Sequence, residues 1–346
     1  MPAGEQQPHH IVDSQTMTDI QHMLADYAAR FDSRLSVFDV RIASLADGII
    51  ALEGRVLDES QCDELRRLFS DHKADTSSLT VLNRPNLPRR HIATNLTGLY
   101  EKPTFSVPLA SELTFGSELD ILCEEGRWAF VRQRDGYLGW AYSPYMQDGP
   151  APAATHLVLA PAIELRAQAD SASDVLTRLV CGTRATVTES RGTWSRVEAN
   201  KSGWVQSIHL RALADLPQTL DAKRTTLIAD AQRMTGVPYL WGGVSGNGMD
   251  CSGFAQLLHR WIGIEIPRDA DMQFEASYLV EEPHEAGDLF FFGEGGEQRK
   301  VTHVGISLGG WTVIHSSRTH NGVYVDDLQQ AHYLRESYLG AGSFLR

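Results

Sequence analysis

Two stretches of the chain repeat each other, and this repeat constrains the fold more than any other feature of the sequence. The first reads SELTFGSELDILCEEGRWAFVRQRDGYLGWAY and the second reads DVLTRLVCGTRATVTESRGTWSRVEANKSGWVQ. Gly116 and Gly182 are 66 residues apart, and Trp128 and Trp194 keep the same spacing. In both stretches apolar residues alternate along short segments that end at glycines, which is the pattern of a small β-barrel. The repeat therefore predicts two small β-barrels in tandem.

The two barrels have recognisable boundaries. Trp140 and Trp204 are only 64 residues apart, so the second copy has the shorter hairpin loop. The segment RPNLPRR precedes the first copy, and DGPAPAATH joins the two. Because proline and glycine mark turns and linkers, we predict barrels at 90–148 and 155–214. The pattern G-x-W-x-x-V followed by G-[YW], present in both copies, resembles bacterial SH3-like domains.

The segment before the barrels, residues 16–84, predicts a small α-β-β-α-β domain. MTDIQHMLADYAA has apolar residues at helical spacing, and two strands follow around the Asp47-Gly48 turn. A second helix begins near Asp58, and SLTVLN forms a third strand. The order resembles a BON-like domain. Residues 1–15 are predicted to be disordered.

The segment after the barrels, residues 218–346, predicts an α+β domain. TTLIADAQRMTG is helical, and CSGFAQLLHRWIGI is helical again after a glycine-rich loop. Four strands follow in DLFFF, THVGISL, TVIHSS and GVYVDD. The predicted fold class is therefore α+β, with this domain preceded by two β-barrels and a small N-terminal α/β domain.

Composition excludes several classes of function. The chain has 346 residues, a net charge of −13 and a pI of about 5.4, and an acidic surface is unsuited to nucleic acids or anionic membranes. No apolar run reaches the roughly 18 residues of a membrane span, and the N-terminus lacks the basic and apolar regions of a secretion signal. The four cysteines are widely spaced without a CxxC pair, so we predict no metal site, no disulfide framework and no cofactor. Reduced thiols favour the cytoplasm.

One of these cysteines stands in a setting typical of a nucleophile. Cys251 lies in GMDCSGF, where a glycine-rich loop becomes a helix, and Asp250 is a good N-cap. The first turn of a helix offers free N–H groups and positive potential, so we expect the pKa of the Cys251 thiol to be lowered. The same N–H groups can hold an oxyanion, and Ser252 and Gly253 leave room for a substrate. The alternative is a buried cysteine with a structural role.

Two histidines supply the rest of a catalytic set. His303 lies in VTHVGISL and His315 lies in VIHSS, on either side of Gly309-Gly310. A turn centred on Gly309 would place the histidines directly opposite each other on one face of a hairpin. A two-residue turn at Gly309-Gly310 would place them on opposite faces. In the first arrangement one imidazole takes the thiol proton and the other fixes its tautomer.

Five motifs in order, YLWGG, DCSG, GDL, HVGI and IH, resemble the NlpC-type papain-like cell-wall peptidase family. The resemblance covers the C-terminal domain and implies a papain-like cysteine peptidase. It implies that Cys251 is the nucleophile, that His303 is the general base and acid, and that His315 orients His303. It also implies that the hydroxyl of Tyr239 lies near the oxyanion. For Trp241 we predict core packing.

The two barrels narrow the resemblance to γ-D-glutamyl-L-diamino acid endopeptidases. In that subgroup an Asp eighteen residues after the Cys binds the free amine of an N-terminal L-Ala, and Asp269 stands at that position in IPRDADMQ. The alternative is a surface ion pair between Arg268 and Asp269. The subgroup also implies a tyrosine and an acid from the first barrel, for which Tyr137 and Glu112 are the candidates. The predicted substrate-binding residues are Asp269, Ser252, Tyr137, Glu112, Arg268 and Asp250.

These inferences predict a cytoplasmic, metal-independent cysteine endopeptidase. Its expected substrates are murein peptides with a free N-terminal L-Ala, cleaved after γ-D-Glu during cell-wall peptide recycling. The alternatives are an exported DL-endopeptidase that acts on intact peptidoglycan and a non-catalytic protein that binds wall fragments.

The barrels should pack against the catalytic domain, because the first one lends Tyr137. Removal of residues 1–80 should then spare activity, although the role of the N-terminal domain stays open. The sequence also leaves open the oligomeric state and whether Lys or diaminopimelate follows the Glu.

Overall fold

The computed structural model describes residues 14–296 and 300–345. The predicted disordered segment lies outside these residues except for its last two positions, which begin the first helix. Within the described ranges, no helix combines the length and apolar character that a membrane crossing requires.

The N-terminal domain is a three-stranded sheet covered by two helices. Strand β2 pairs antiparallel with β1 and parallel with β3, and Asp47 and Gly48 form the β1–β2 turn with positive φ. Ile20, Leu52 and Leu65 are buried in its core. The elements are α1 Ser14–Ala28, β1 Phe38–Ala46, β2 Ile49–Val56, α2 Glu59–Leu68 and β3 Lys73–Val81. This is the predicted order of elements.

The first barrel has seven strands, arranged in the order β10-β4-β7-β8-β9-β5-β6. Its core contains Ile121, Val131 and Leu113 from alternating positions of three strands, as the sequence pattern predicts. The strands are β4 Arg89–Ile92, β5 Leu96–Tyr100, β6 Leu109–Thr114, β7 Glu118–Glu125, β8 Trp128–Gln133, β9 Leu138–Tyr142 and β10 Met146–Asp148.

The second barrel repeats this topology strand for strand, in the order β13-β12-β16-β15-β14-β11-β17. Leu165, Val197 and Val205 are fully buried in its core. The strands are β11 His156–Val158, β12 Ala162–Arg166, β13 Val175–Val180, β14 Arg184–Arg191, β15 Trp194–Glu198, β16 Ser202–Gln206 and β17 Leu210–Ala212. The repeat in the sequence therefore corresponds to a repeat in the structure.

The C-terminal domain packs helix α4 against a six-stranded sheet of order β20-β25-β21-β22-β23-β24. Phe254 and Leu258 on α4 are fully buried in one core with Val304 and Ile314 of the sheet. The helices are α3 Leu220–Arg233, α4 Cys251–Arg260, α5 Ala270–Ala276 and α6 His332–Ser337. The strands are β18 Val244–Ser245, β19 Gly248–Met249, β20 Tyr278–Val280, β21 Leu289–Glu294, β22 Lys300–Gly309, β23 Thr312–Ser317, β24 Gly322–Asp327 and β25 Tyr338–Ser343.

The domains contact one another through buried apolar side chains. Leu57 and Leu82 of the N-terminal domain share a cluster with Leu122 and Leu138 of the first barrel. The second barrel contributes Leu157, Leu159 and Cys181 to the core of the C-terminal domain, in a set that also includes Leu257 and Trp261. Such contacts hold neighbouring domains in fixed positions, because separating them would expose apolar surface to water.

Candidate active site

A cavity of about 870 Å³ lies where three of the domains meet. The C-terminal domain lines it with Cys251, His303 and Asp269. The first barrel contributes Tyr137, and the N-terminal domain contributes Arg34. The cavity therefore brings the predicted nucleophile, the predicted base and the predicted amine-binding carboxylate into one space.

Cys251 is the first residue of α4, as predicted, and Asp250 is its N-cap. Oδ1 of Asp250 accepts hydrogen bonds from the Gly253 amide at 2.7 Å and from Nη1 of Arg268 at 3.0 Å. Oδ2 accepts from the Gly242 amide at 2.9 Å. This network fixes the helix start that presents the sulfur to the cavity.

The pKa of the Cys251 thiol is shifted in the direction opposite to our prediction. Burial is the main cause that raises this pKa to about 12, and the negative charge of Asp250 acts in the same direction. The amides of Val304 and Ser252 and the charge of Arg268 oppose the shift without overcoming it. Loss of water around the sulfur therefore outweighs the helix start, and the resting thiol is protonated at neutral pH.

His303 and His315 are hydrogen-bonded to each other, with 2.7 Å between Nε2 of His303 and Nδ1 of His315. The predicted register is wrong, although the two side chains do share a face. Ile306 pairs with Ile314, and a bulge precedes a two-residue turn at Gly310-Trp311. Continuing that pairing puts Gly305 opposite His315, where a Cβ would lie only 3.0 Å from the His315 Cβ. His303 thus meets His315 diagonally, across a position that has no side chain.

Asp326 completes a chain of hydrogen bonds and was not predicted from the sequence. Its Oδ2 lies 2.9 Å from Nε2 of His315, and it also accepts from the Tyr333 hydroxyl at 2.8 Å. The hydrogen bond from His315 is the main cause that lowers the pKa of Asp326, so the carboxylate is ionised. His315 pairs with Tyr324, and Asp326 is two residues further along β24. Residues two apart on a strand lie on the same face, so strand alternation is the sequence signal that could have identified Asp326.

This chain of hydrogen bonds assigns the histidine tautomers. An ionised Asp326 only accepts, so Nε2 of His315 carries a hydrogen and its Nδ1 accepts from Nε2 of His303. Nδ1 of His303 is then the unprotonated nitrogen. Burial lowers the pKa of His303 to about 3, with His315 adding to the shift, so His303 is neutral at rest. A neutral imidazole with a free lone pair is what a general base requires.

Arg268 is buried, which contradicts the alternative of a surface ion pair with Asp269. Its side chain is 1% exposed, and its Nη2 donates to Oδ2 of Asp250 at 2.7 Å. Nη1 donates to the Ser252 hydroxyl at 3.0 Å, and Nε donates to Ser111 of the first barrel at 3.1 Å. Arg268 is one of the six predicted substrate-binding residues, and these contacts place it where it stabilises the start of α4. The Ser252 hydroxyl also lies 3.3 Å from Oδ1 of Asp250.

Asp269 receives the tyrosine that the resemblance implies, and also an arginine that it does not imply. The Tyr137 hydroxyl donates to Oδ2 of Asp269 at 3.0 Å. Nη1 of Arg34 donates to the same oxygen at 2.8 Å. Burial raises the pKa of Asp269, while the charges of Arg268 and Arg34 lower it. Nothing local in the sequence around position 34 indicated this contact.

Three other predicted positions have different outcomes. Tyr239 lines the cavity, and Arg318 stacks on its ring with 5.5 Å between the guanidinium carbon and the ring centre. Trp241 also lines the cavity and is 56% exposed, so the prediction of core packing is wrong. Glu112 does not line this cavity. It lies on β6 of the first barrel and is buried, and its Oε2 accepts from the Val244 amide of the C-terminal domain at 2.9 Å.

Three segments of the chain match known families. Residues 99–142 match the bacterial dipeptidyl-peptidase Sh3 domain, residues 161–210 match the bacterial SH3 domain, and residues 236–342 match the NlpC/P60 family. The chain therefore carries two bacterial SH3 domains ahead of an NlpC/P60 domain, which confirms the predicted resemblance and the predicted fold class.

Curated relatives match the chain mainly in its C-terminal domain. A γ-D-glutamyl-L-lysine dipeptidyl-peptidase of Bacillus cereus is 38% identical over 120 residues, which are 34% of this chain and 36% of that protein. The bifunctional muramidase/DL-endopeptidase CwlT of Bacillus subtilis is 36% identical over 110 residues, which are 31% of this chain and 33% of that protein. The chain thus spans about a third of the length of each of these relatives.

A solved structure matches over most of the chain. The crystal structure of an NlpC/P60 family protein from Bacillus cereus superimposes with a TM-score of 0.64 over 75% of this chain and 100% of that chain. The two sequences are 23% identical, so this likeness shows a shared fold.

Proposed function

We propose that this chain, which carries an NlpC/P60 domain behind two bacterial SH3 domains, is a cysteine endopeptidase that hydrolyses the γ-D-glutamyl–diamino acid bond of murein peptides with a free N-terminal L-Ala. The observation that supports this most is that one cavity contains both Cys251 and Asp269, with Tyr137 hydrogen-bonded to Asp269. A short peptide can offer its γ-carbonyl to the sulfur and its ammonium group to the carboxylate.

The first chemical step in this proposal is attack by Cys251 on the γ-carbonyl carbon of the D-Glu. Because burial raises the pKa of the thiol and lowers the pKa of His303, both groups are neutral before the reaction. Nδ1 of His303 takes the thiol proton as the carbon–sulfur bond forms. The amides at the start of α4 and the Tyr239 hydroxyl are the proposed donors to the developing oxyanion.

The second step releases the two products. The amine of the diamino acid leaves as it takes the proton from His303, and a thioester remains on Cys251. A water molecule then gives a proton to His303 and attacks the thioester, which frees the dipeptide and restores the thiol. His315 and Asp326 hold the His303 tautomer and stabilise the imidazolium that forms in each half-reaction.

Recognition of the amine rests on Asp269, whose side chain is 24% exposed. A free α-amine is charged near neutral pH because its ordinary pKa is about 7.7–8.0. Loss of one partner of a sheltered charge pair costs about 2–5 kcal/mol, which corresponds to roughly 30- to 4000-fold in rate at low substrate. Because Arg34 already pairs with Asp269, we expect acetylation of the peptide to cost an amount near the lower end, roughly 30-fold.

A second candidate is a DL-endopeptidase that acts on intact peptidoglycan. The observation that favours it is the ion pair between Arg34 and Asp269, which partly satisfies the carboxylate without a substrate amine. In intact wall the L-Ala nitrogen is acylated, so such an enzyme would gain nothing from an amine site.

We place the proposed reaction in the cytoplasm, where released peptides would be recycled. The four cysteines are free thiols, as reducing conditions require, and fractionation of cells would test this location. A non-catalytic protein that binds wall fragments is less well supported, because binding alone has no need for the chain from His303 through His315 to Asp326.

The proposed chemistry is tested with variants of the hydrogen-bonded set. Cys251→Ala and His303→Ala should each abolish hydrolysis of L-Ala-γ-D-Glu-diaminopimelate, and Cys251→Ser should be nearly as inactive because a hydroxyl is a far weaker nucleophile. Asp326→Asn should reduce kcat through the wrong His315 tautomer, as in other nucleophile–base–orienter sets. His320→Ala is the matched control, because His320 is an exposed partner of the same carboxylate. Full activity in Cys251→Ala would refute the mechanism.

The proposed specificity is tested by comparing kcat/KM for this peptide and its N-acetylated form, with cleavage followed by mass spectrometry. The unmutated enzyme should prefer the free amine. Equal values of kcat/KM would reject the amine site and favour the DL-endopeptidase.

A further inference from the structure

An arginine of the N-terminal domain reaches the proposed amine site. Arg34 lies in the loop between α1 and β1, and 235 residues separate it from Asp269. Its Nη1 donates to Oδ2 of Asp269 at 2.8 Å and to Oδ1 of Asp271 at 2.9 Å. Its Nη2 donates to Oδ2 of Asp271 at 2.6 Å. Arg34 lies outside residues 99–142, 161–210 and 236–342, which are the segments that match known families.

The position of Arg34 is fixed from several directions. Its backbone carbonyl accepts from the Leu138 amide of the first barrel at 2.8 Å, and its own amide donates to Oδ1 of Asp32 at 2.8 Å. The apolar cluster that contains Leu57, Leu82 and Leu138 holds the N-terminal domain against that barrel. A residue anchored at its backbone in this way is suited to hold another side chain and is poorly suited to swing out of the cavity.

The guanidinium group has used all of its hydrogen-bond donors. Of its five N–H groups, Nε–H and one hydrogen of Nη2 bond to Asp32. The other hydrogen of Nη2 and one of Nη1 bond to Asp271, and the last bonds to Asp269. Arg34 therefore has no donor left for a substrate carboxylate, and its effect on a substrate must pass through the acids that it holds.

Asp269 retains capacity to accept hydrogen bonds. Within residues 14–296 and 300–345, both hydrogen bonds to its side chain, from Arg34 and Tyr137, go to Oδ2, while Oδ1 lies 3.9 Å from Nη1 of Arg268. Charge also favours a further cation, because the three carboxylates of Asp32, Asp269 and Asp271 surround the single charge of Arg34. Arg268 adds no net charge because it is paired with Asp250.

We infer that Arg34 is a positioning residue of the amine site, which holds Asp269 by Oδ2 and leaves Oδ1 for the ammonium group of the substrate. This inference rests on the proposed function. It gives the N-terminal domain a part in substrate recognition, and it reverses the expectation that removal of residues 1–80 would spare activity.

The ionisation of Asp269 agrees with this role. Burial raises its pKa, and the charge of Arg34 is one of the two that oppose the rise. Without Arg34 the folded-state pKa of Asp269 would be higher, so a larger fraction would be protonated as the pH falls toward it. A protonated carboxyl binds an ammonium group less well, so KM for the free-amine peptide should begin to rise at a higher pH than in the unmutated enzyme.

The test uses the full chain with Arg34→Ala, Arg34→Lys and the control Arg41→Ala. Arg41 lies in the same domain and pairs with Glu53 while its side chain is 79% exposed. Each enzyme is assayed from pH 5 to 8 with L-Ala-γ-D-Glu-diaminopimelate and with its N-acetylated form. Arg34→Lys keeps the charge but not the planar fork, so it provides a folded comparison if Arg34→Ala lowers the yield of folded protein.

For Arg34→Ala, we expect KM for the free-amine peptide to rise roughly 10- to 30-fold with little change in kcat, because a hydrogen bond between charged groups is lost far from the scissile bond. Arg34→Lys should fall between this variant and the unmutated enzyme. The acetylated peptide should be turned over as before, and Arg41→Ala should match the unmutated enzyme. The rise in KM should begin at higher pH in Arg34→Ala.

Two results would overturn the inference while the proposed function stands. One is an unchanged preference for the free amine in Arg34→Ala. The other is a higher kcat/KM in that variant, which would show that Arg34 occupies the amine site instead of shaping it. Equal rates for both peptides in the unmutated enzyme would instead remove the amine site itself, and the inference with it.

Discussion

The two barrels share one topology but use it differently. All seven strands occur in the same order in both, and the same turn glycine has positive φ in each, at Gly116 and Gly182. Yet a Cβ on Gly116 would have only Ala151 near it, at 3.9 Å, whereas a Cβ on Gly182 would lie 2.9 Å from Leu257 of α4. One barrel is packed against the back of the catalytic helix at a point where the other is open.

The hairpin loops show the difference most clearly. In the first barrel, residues 134–137 connect β8 to β9, and their Tyr137 bonds to Asp269 while Asp135 pairs with Arg260 of α4 at 2.9 Å. In the second barrel, residues 199–201 connect β15 to β16, and the ammonium group of Lys201 donates to the Leu176 carbonyl of its own barrel. The first barrel therefore supplies a side chain to the cavity, and the second barrel packs against the C-terminal domain away from the cavity.

The second barrel stabilises the C-terminal domain through a buried ion pair. Arg211 donates to both oxygens of Asp230 on α3, at 2.7 and 2.9 Å, and Asp230 is fully buried. It also donates to the Trp261 carbonyl at the end of α4, at 3.3 Å. The role of each barrel thus depends on the part of the chain that it packs against, and the repeat in the sequence does not by itself reveal that role.

The largest effect that we predict separates stability from activity. Arg211→Ala leaves the carboxylate of Asp230 buried without its main partner, and breaking such a pair costs about 3–5 kcal/mol. The thermal unfolding midpoint should fall strongly, while kcat/KM at a temperature where the protein stays folded should be unchanged. Arg178→Ala in the same barrel is the control, because that arginine is 71% exposed and pairs loosely with Glu164 at 3.7 Å. A large loss of kcat/KM in folded Arg211→Ala would contradict the division of roles.

The next effect comes from replacing the loop of the first barrel. Exchange of residues 134–137 for the Ala-Asn-Lys of the second barrel removes both Tyr137 and Asp135. Two hydrogen bonds to charged groups, at about 1.5–3 kcal/mol each, would be lost, so we expect kcat/KM for the free-amine peptide to fall roughly 100-fold or more. The measurement is steady-state kinetics beside circular dichroism, and unchanged kinetics in a folded protein would show that this loop supplies nothing to substrate recognition.

Removal of a single hydroxyl group tests the same comparison between the barrels more closely. Tyr137→Phe removes the hydroxyl that donates to Asp269 but keeps the buried ring. We expect about a tenfold loss of kcat/KM for the free-amine peptide and no loss for the acetylated one. Tyr142→Phe, in the aromatic cluster of the same barrel, should leave both unchanged. An equal loss for both peptides in Tyr137→Phe would assign Tyr137 to packing instead of amine recognition.

The sequence predicted well those features that depend on local pattern. The recurring glycines and tryptophans were sufficient for two barrels. For His303 and His315, one of the two registers considered placed them on one face of the hairpin and the other placed them on opposite faces. The predicted register of β22 and β23 was wrong because a bulge between Ser307 and Gly309 shifts the pairing. A single sequence carries no sign of that bulge. The prediction of a lowered pKa for Cys251 was wrong because burial of the thiol depends on packing across domains. Arg34 could not be predicted, because it meets Asp269 only after two domains fold against the C-terminal one.

The smallest predicted effect is the reciprocal exchange, and it is the strictest test of the comparison. Placing Arg-Asp-Gly-Tyr of the first loop at residues 199–201 gives the second barrel the same side chains in the same hairpin. No carboxylate equivalent to Asp269 is among the described contacts of that loop, and Lys201 bonds only within its barrel. Surface changes of this kind alter stability by about 0.5 kcal/mol or less, so thermal midpoint and kcat/KM should both stay near those of the unmutated enzyme. A clear change in kcat/KM would mean that the second barrel also reaches the cavity, because a loop that lies outside the cavity has no route to the reaction.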